Sequence, residues 1–134
     1  MMERSITEHV SSLGFEATLE RLEQEIAKGG MSVFARIDHA AGAREFGLEM
    51  PPTVVLLYGS PRGGTPIMLE APLAALDLPL RVLVRQDAKG QVLIAFHPAA
   101  PMLRQAGVPE ELATRLDPAQ RILCETIWPD GTPP

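Results

Sequence analysis

Ser60, Arg62 and Thr65 lie close together in a run of glycine and proline, Gly59-Ser60-Pro61-Arg62-Gly63-Gly64-Thr65-Pro66. The run follows an apolar stretch and precedes a helical pattern. Glycine lets the main chain approach a ligand closely, a helix start offers unpaired N–H groups, and a guanidinium adds positive charge. The expected chemistry is capture of a carboxylate or phosphate, alone or on an amphipathic molecule, by Ser60, Arg62, Gly63, Gly64 and Thr65. The segment is not a P-loop, which needs Lys-Ser/Thr after the second glycine of GxxxxG, and it is not GxGxxG. No Gly-x-Ser-x-Gly elbow surrounds Ser60. A sharp turn with a well-capped helix requires the same residue types and no ligand.

Asp38-His39 is the second candidate. A carboxylate beside an imidazole can move protons or bind metal, so Asp38 and His39 are the candidate acid–base pair. Adjacent strand residues point to opposite faces, however, and Asp is a preferred helix cap. The alternative is an N-cap followed by a first-turn histidine. His9 and His97 are isolated. With His39 they would make three metal ligands only if the fold gathered them, and no HxxxH spacing supports that. No metal and no cofactor is expected. Cys124 is the only cysteine. It excludes an intrachain disulfide and a Cys-cluster zinc site, and its apolar neighbours suit a structural thiol.

These residues need elements to hold them. Ser5 to Val10 reads as a strand with imperfect alternation. Phe15, Leu19, Leu22 and Ile26 then form one helical stripe, with Ser12 as a plausible cap and Gly29-Gly30 as the stop. Met31 to Ile37 reads as a strand with Val33, Ala35 and Ile37 on one side and Phe34 on the other. Asp38 caps a short helix from His39 to Phe46. Thr53 to Tyr58 is a continuous apolar run, expected to be a central strand buried on both faces. Gly59 to Gly64 reads as a loop, and Thr65-Pro66 as cap and first helical residue. Leu80 to Arg85 and Gln91 to Phe96 form a hairpin around Asp87-Ala88-Lys89-Gly90. Short helices follow at Ala100–Ala106, after Pro109, and from Pro118 to Ile127. Met50, Met68 and Met102 fill core gaps or line an apolar pocket. Arg81 and Arg85 share one strand face. That face is either solvated or a subunit contact.

Elements in this order do not alternate as a doubly wound parallel sheet does. They fit an α+β domain, a mostly antiparallel sheet of about five strands with helices on one face. The 134 residues make one domain, with a core over about 5–127 and a frayed tail over 129–134. Aromatics are only 4% of the chain, so few rings are available to stack on bases. A formal net charge of −5 opposes binding to nucleic acid or to an anionic membrane. No apolar run reaches the roughly 20 residues that span a bilayer, and the start lacks a signal-peptide pattern. The expected location is the cytoplasm.

Asp38-His39-Ala40-Ala41, the segment from Gly59 to Met68, and Leu76-Asp77-Leu78-Pro79-Leu80-Arg81-Val82-Leu83-Val84 together resemble the bacterial and archaeal domain-of-unknown-function family 302. The resemblance runs from about Ser5 to Ile127. It implies a β-α-β(4)-α core with a TATA-binding-protein-like layout, and self-association as a homodimer. The family has no settled activity, so the resemblance assigns no catalytic role. The family pattern Asn-Pro-Lys is replaced here by Ser60-Pro61-Arg62, which keeps the positive charge and exchanges an amide for a hydroxyl.

Three functions are compatible with this reading. The first is a non-catalytic homodimer that holds a small anionic or amphipathic ligand beside Gly59–Pro66, with Asp38 and His39 as the far wall. The second is an interaction or structural domain with no small ligand. The third is a small enzyme that uses Asp38 and His39.

Overall fold

The computed structural model describes residues 5–128. The expected frayed tail at 129–134 lies outside the described residues. A short strand, β1 (Thr7–Val10), leads into helix α1 (Phe15–Lys28). Leu19, Leu22 and Ile26 are fully buried along one stripe of α1, as their spacing predicts. The helix starts later than expected, with Gly14 at its N-cap. Ser12 is used elsewhere: its Oγ donates to the Ile127 carbonyl at 2.7 Å and ties the entry of α1 to the C-terminal region.

Strand β2 (Ser32–Asp38) and helix α2 (His39–Glu45) follow, then β3 (Thr53–Gly59), α3 (Pro61–Glu70) and a 3-10 helix over Pro72–Asp77. β4 (Leu80–Gln86) and β5 (Val92–Phe96) form the expected hairpin, and the Asp87 carboxylate accepts the N–H groups of Lys89 and Gln91 at its turn. Helices α4 (Ala99–Gln105), α5 (Glu110–Ala113) and α6 (Asp117–Thr126) complete the described residues.

The five strands among the described residues lie in the order β1-β5-β4-β3-β2, and each neighbouring pair is antiparallel. This is the predicted α+β class. One face of the sheet carries Val54, Leu56, Tyr58, Val82, Val84 and Ile94, all buried with the stripe of α1 and with Leu123 of α6. Two features depart from the sequence reading. β3 is an interior strand, paired on both sides, but it is not buried on both faces, because Val55 and Leu57 are only half-buried and face away from the helices. Its apolar run reflects one helix-covered face and one open face of similar polarity. In β2 a bulge between Val33 and Ala35 breaks the alternation. Val33 pairs with Tyr58 on the core side and Ala35 with Leu57 on the open side, so the two do not share a face. Phe34 is the extra residue, half-exposed at 51%.

Candidate functional site

Ser60 follows β3 and caps α3. Its Oγ accepts the Arg62 N–H at 3.1 Å, and its carbonyl accepts the Gly63 and Gly64 N–H groups at 3.1 and 2.9 Å. Helix α3 therefore begins at Pro61, not at Pro66. Ser-Pro and Thr-Pro spell the same start signal, and the earlier one is used. Pro66 is carried inside the helix, and Thr65 lies within it rather than capping it. The first-turn amides are thus engaged by the chain itself, and the expected nest of free N–H groups is absent. Arg62 is exposed and has no ion-pair partner among the described residues.

This junction lines a cavity of about 530 Å³, a size ordinary for a small-molecule site. Ser60, Arg62, Gly63, Gly64 and Thr65 all contribute to its wall. Gly29, Gly30 and Met31 come from the end of α1, Phe34 from the β2 bulge, and Met68 from α3. Leu78 and Pro79 enter from the segment before β4, and Leu116 and Ala119 from the start of α6. Among the described residues, Arg62 is the only charged one in the wall. The arrangement is an apolar hollow with one guanidinium, the Ser60 and Thr65 hydroxyls, and the ring of Tyr58.

Sequence reasoning found the α3 part of this wall and missed the rest. Gly29-Gly30 carried only the signal of a helix stop. The half-exposed Phe34 is placed by a bulge that strict alternation does not reveal. Met68 lines the hollow, whereas Met50 is 41% exposed and belongs to no such wall.

Asp38 and His39 do not join this site. Asp38 Oδ1 accepts the Ala41 N–H at 2.9 Å, the helix-cap arrangement, and His39 is the exposed first residue of α2. Neither lines the hollow, so the far wall expected from them is supplied instead by α1, α6 and the chain before β4. His97 donates from Nδ1 to the Ser5 carbonyl at 2.9 Å, and Gln120 bridges the His97 carbonyl and the Ala99 N–H. His97 lines a separate small cavity of about 120 Å³ with Asp77, Arg81, Met102 and Gln120. Among the described residues, no three His, Cys, Asp or Glu side chains are grouped to hold a metal.

Tyr58 forms part of the hollow's wall, yet its hydroxyl is buried with no hydrogen-bond partner among the described residues. Burial foremost, and the Cys124 thiol next, push its phenol far above the ordinary range. Burial likewise raises the Cys124 thiol, with Glu125 adding to the effect, which favours the protonated form.

A family model described as "Domain of unknown function DUF302" matches residues 6–127. The chain is a member of the DUF302 family. The fold of this DUF302 domain is shared with the crystal structure of an uncharacterised conserved DUF302 protein from Bacillus stearothermophilus. The TM-score is 0.78 at 21% identity, over 91% of this chain and 94% of that one. The domain is also similar to part of proteins named fluoride-specific ion channels, FluC 1 of Brucella suis biovar 1 and FluC 1 of Brucella abortus biovar 1. The identity is 41% over 83 residues, 62% of this chain. The domain spans about a third of their length, 33% and 31%. No helix among its own described residues is long and apolar enough to cross a membrane.

Proposed function

We propose that this DUF302 domain is a non-catalytic binding module for a small amphipathic anion, held in the hollow beside Gly59–Pro66. One observation carries the reading: a ligand-sized, largely apolar cavity has Arg62 as the only charge in its wall among the described residues. An apolar body would lose contact with water inside, and a carboxylate or sulfonate would meet the guanidinium at the rim. The engaged amides of α3 narrow the ligand class. A bare phosphate finds one exposed cation and no nest of donors, so amphipaths are favoured over inorganic anions. A thermal-shift panel of inorganic phosphate, nucleotides and medium-chain carboxylates tests this. The carboxylates should raise Tm, inorganic phosphate should not, and Arg62→Ala should remove the shift. Absence of any carboxylate effect, or its persistence in Arg62→Ala, sinks the reading.

We infer that the module acts as a homodimer. The sheet face away from the helices carries half-buried Val55, Leu57 and Leu83 and the 42%-exposed Ile37, bordered by Arg81 and the Arg85–Glu8 ion pair. Apolar centre and charged border are the usual anatomy of an interface. Sedimentation equilibrium at micromolar concentration should report a dimer for the wild type and a monomer for Leu83→Glu. A monomeric wild type refutes the inference. The reading assumes a cytoplasmic setting, which the lone Cys124 suits.

A second reading, an interaction domain without a small ligand, is favoured by the likeness to a third of the fluoride-channel proteins. A unit that also occurs within a larger chain is one that works beside another unit. Failure of the carboxylate panel with a wild-type dimer would move the balance to this reading. The enzyme reading gains nothing from the geometry, because Asp38 is spent as a cap and neither it nor His39 reaches a described cavity.

A further inference from the structure

Glycine is the poorest ordinary helix former after proline, yet Gly63 and Gly64 stand side by side inside α3. Two structural reasons normally explain such a choice, and neither applies. The first is a left-handed backbone. The glycines with positive φ are Gly30, Gly47, Gly59, Gly90 and Gly107, and the α3 pair is not among them. The second is crowding. A Cβ on Gly63 would lie 3.7 Å from Leu116 Cδ2, and one on Gly64 would lie 3.7 Å from Met68 Cε and 3.8 Å from Leu78 Cδ1. These are ordinary van der Waals distances, so the fold has room for alanine at both positions.

Leu116, Met68 and Leu78 are all walls of the hollow. The absent methyl groups therefore leave bare main chain facing the same space, at a cost in helix propensity that nothing in the fold requires. We propose that Gly63 and Gly64 are specificity determinants of the ligand site, kept bare so that the flat apolar body of an aromatic or similarly planar monoanion can lie directly on the α3 backbone. This rests on the binding function proposed above and deepens it. Phe34, turned out by the β2 bulge and lining the same hollow, supplies an aromatic surface for such a body. The helix N-terminal amides take no part in this contact, because Ser60 already engages them.

The test uses 8-anilinonaphthalene-1-sulfonate, an aromatic monoanion with a flat naphthalene ring, titrated by fluorescence against the full chain, with Tm measured in parallel. Gly63→Ala and Gly64→Ala should each raise Tm by a few degrees, through lower unfolded-state entropy and better helix propensity, and each should weaken dye binding at least tenfold. Gly42→Ala is the control. Gly42 is a helical glycine in α2 with no atom within 4 Å of its added Cβ and no place in the hollow. It should raise Tm comparably and leave binding unchanged. Gly63→Ala and Gly64→Ala proteins that bind as wild type, while Arg62→Ala loses binding, overturn the glycine proposal alone. Binding unchanged in all three variants places the dye elsewhere and overturns the site as well. A lower Tm in Gly63→Ala or Gly64→Ala shows that the fold itself needs glycine there, and it too overturns the proposal.

Discussion

Helices α2 and α3 begin in the same way and have different surroundings. Each follows directly on a strand, β2 or β3, and each starts with a side-chain oxygen accepting a nearby N–H, Asp38 from Ala41 and Ser60 from Arg62. α2 keeps one small buried residue, Ala40, whereas α3 anchors Ile67 at 0% exposure in the core. α2 follows the edge strand β2. α3 follows the interior strand β3 and is met by the end of α1, the start of α6 and the segment before β4. Capping chemistry alone therefore does not make a site. The elements that converge on the cap decide whether a hollow forms beside it.

The two caps give the larger of the expected effects on stability. Asp38→Ala and Ser60→Ala each remove one cap hydrogen bond and should each cost about 1 kcal/mol, read from urea midpoints at constant slope. Both bonds are solvent-exposed, so nothing beyond the cap is lost. Binding of the carboxylate ligands should separate them. Ser60→Ala should weaken it, through the lost hydroxyl and a looser start to α3, while Asp38→Ala should leave it unchanged. Equal effects on binding would dissolve the contrast between the two junctions.

The same contrast shows what a linear sequence can reveal. Asp38 as a cap, the stripe of α1 and the β4–β5 turn are local events, set by spacing and by side chains that reach only a few residues. Each was legible. The start of α3 was misplaced by one proline signal, because Ser60-Pro61 and Thr65-Pro66 are chemically equivalent and only the tertiary setting chooses between them. The walls from Gly29, Phe34, Leu78 and Leu116 depend on contacts between residues distant in the chain, and a bulge shifts one of them out of its expected parity. Periodicity cannot report such a bulge, because one added residue costs little locally and changes every later face.

The smallest expected effect concerns the residues two places before each cap, Arg36 and Tyr58. Arg36, on the edge strand, reaches Glu23 at 3.3 Å and Glu16 at 4.0 Å. Tyr58, on the interior strand, has its hydroxyl buried without a partner among the described residues. An unsatisfied buried hydroxyl is a liability, so Tyr58→Phe should keep or raise stability, by up to roughly 1 kcal/mol at neutral pH. The phenol's raised folded-state pKa adds a sign that can be checked. Above the unfolded value of 10.0 the unfolded chain gives up this proton while the folded chain holds it, so wild-type stability falls as pH rises. The advantage of Tyr58→Phe should therefore widen between pH 10 and 12, beyond what the rest of the molecule loses in both proteins. Carboxylate binding should not change, because the buried hydroxyl is not presented to the hollow. A Tyr58→Phe protein that loses more than about 1 kcal/mol would mean that the hydroxyl is satisfied in the native state. The interior junction would then differ from the edge junction only in the elements around it, and not in the polar strain it carries.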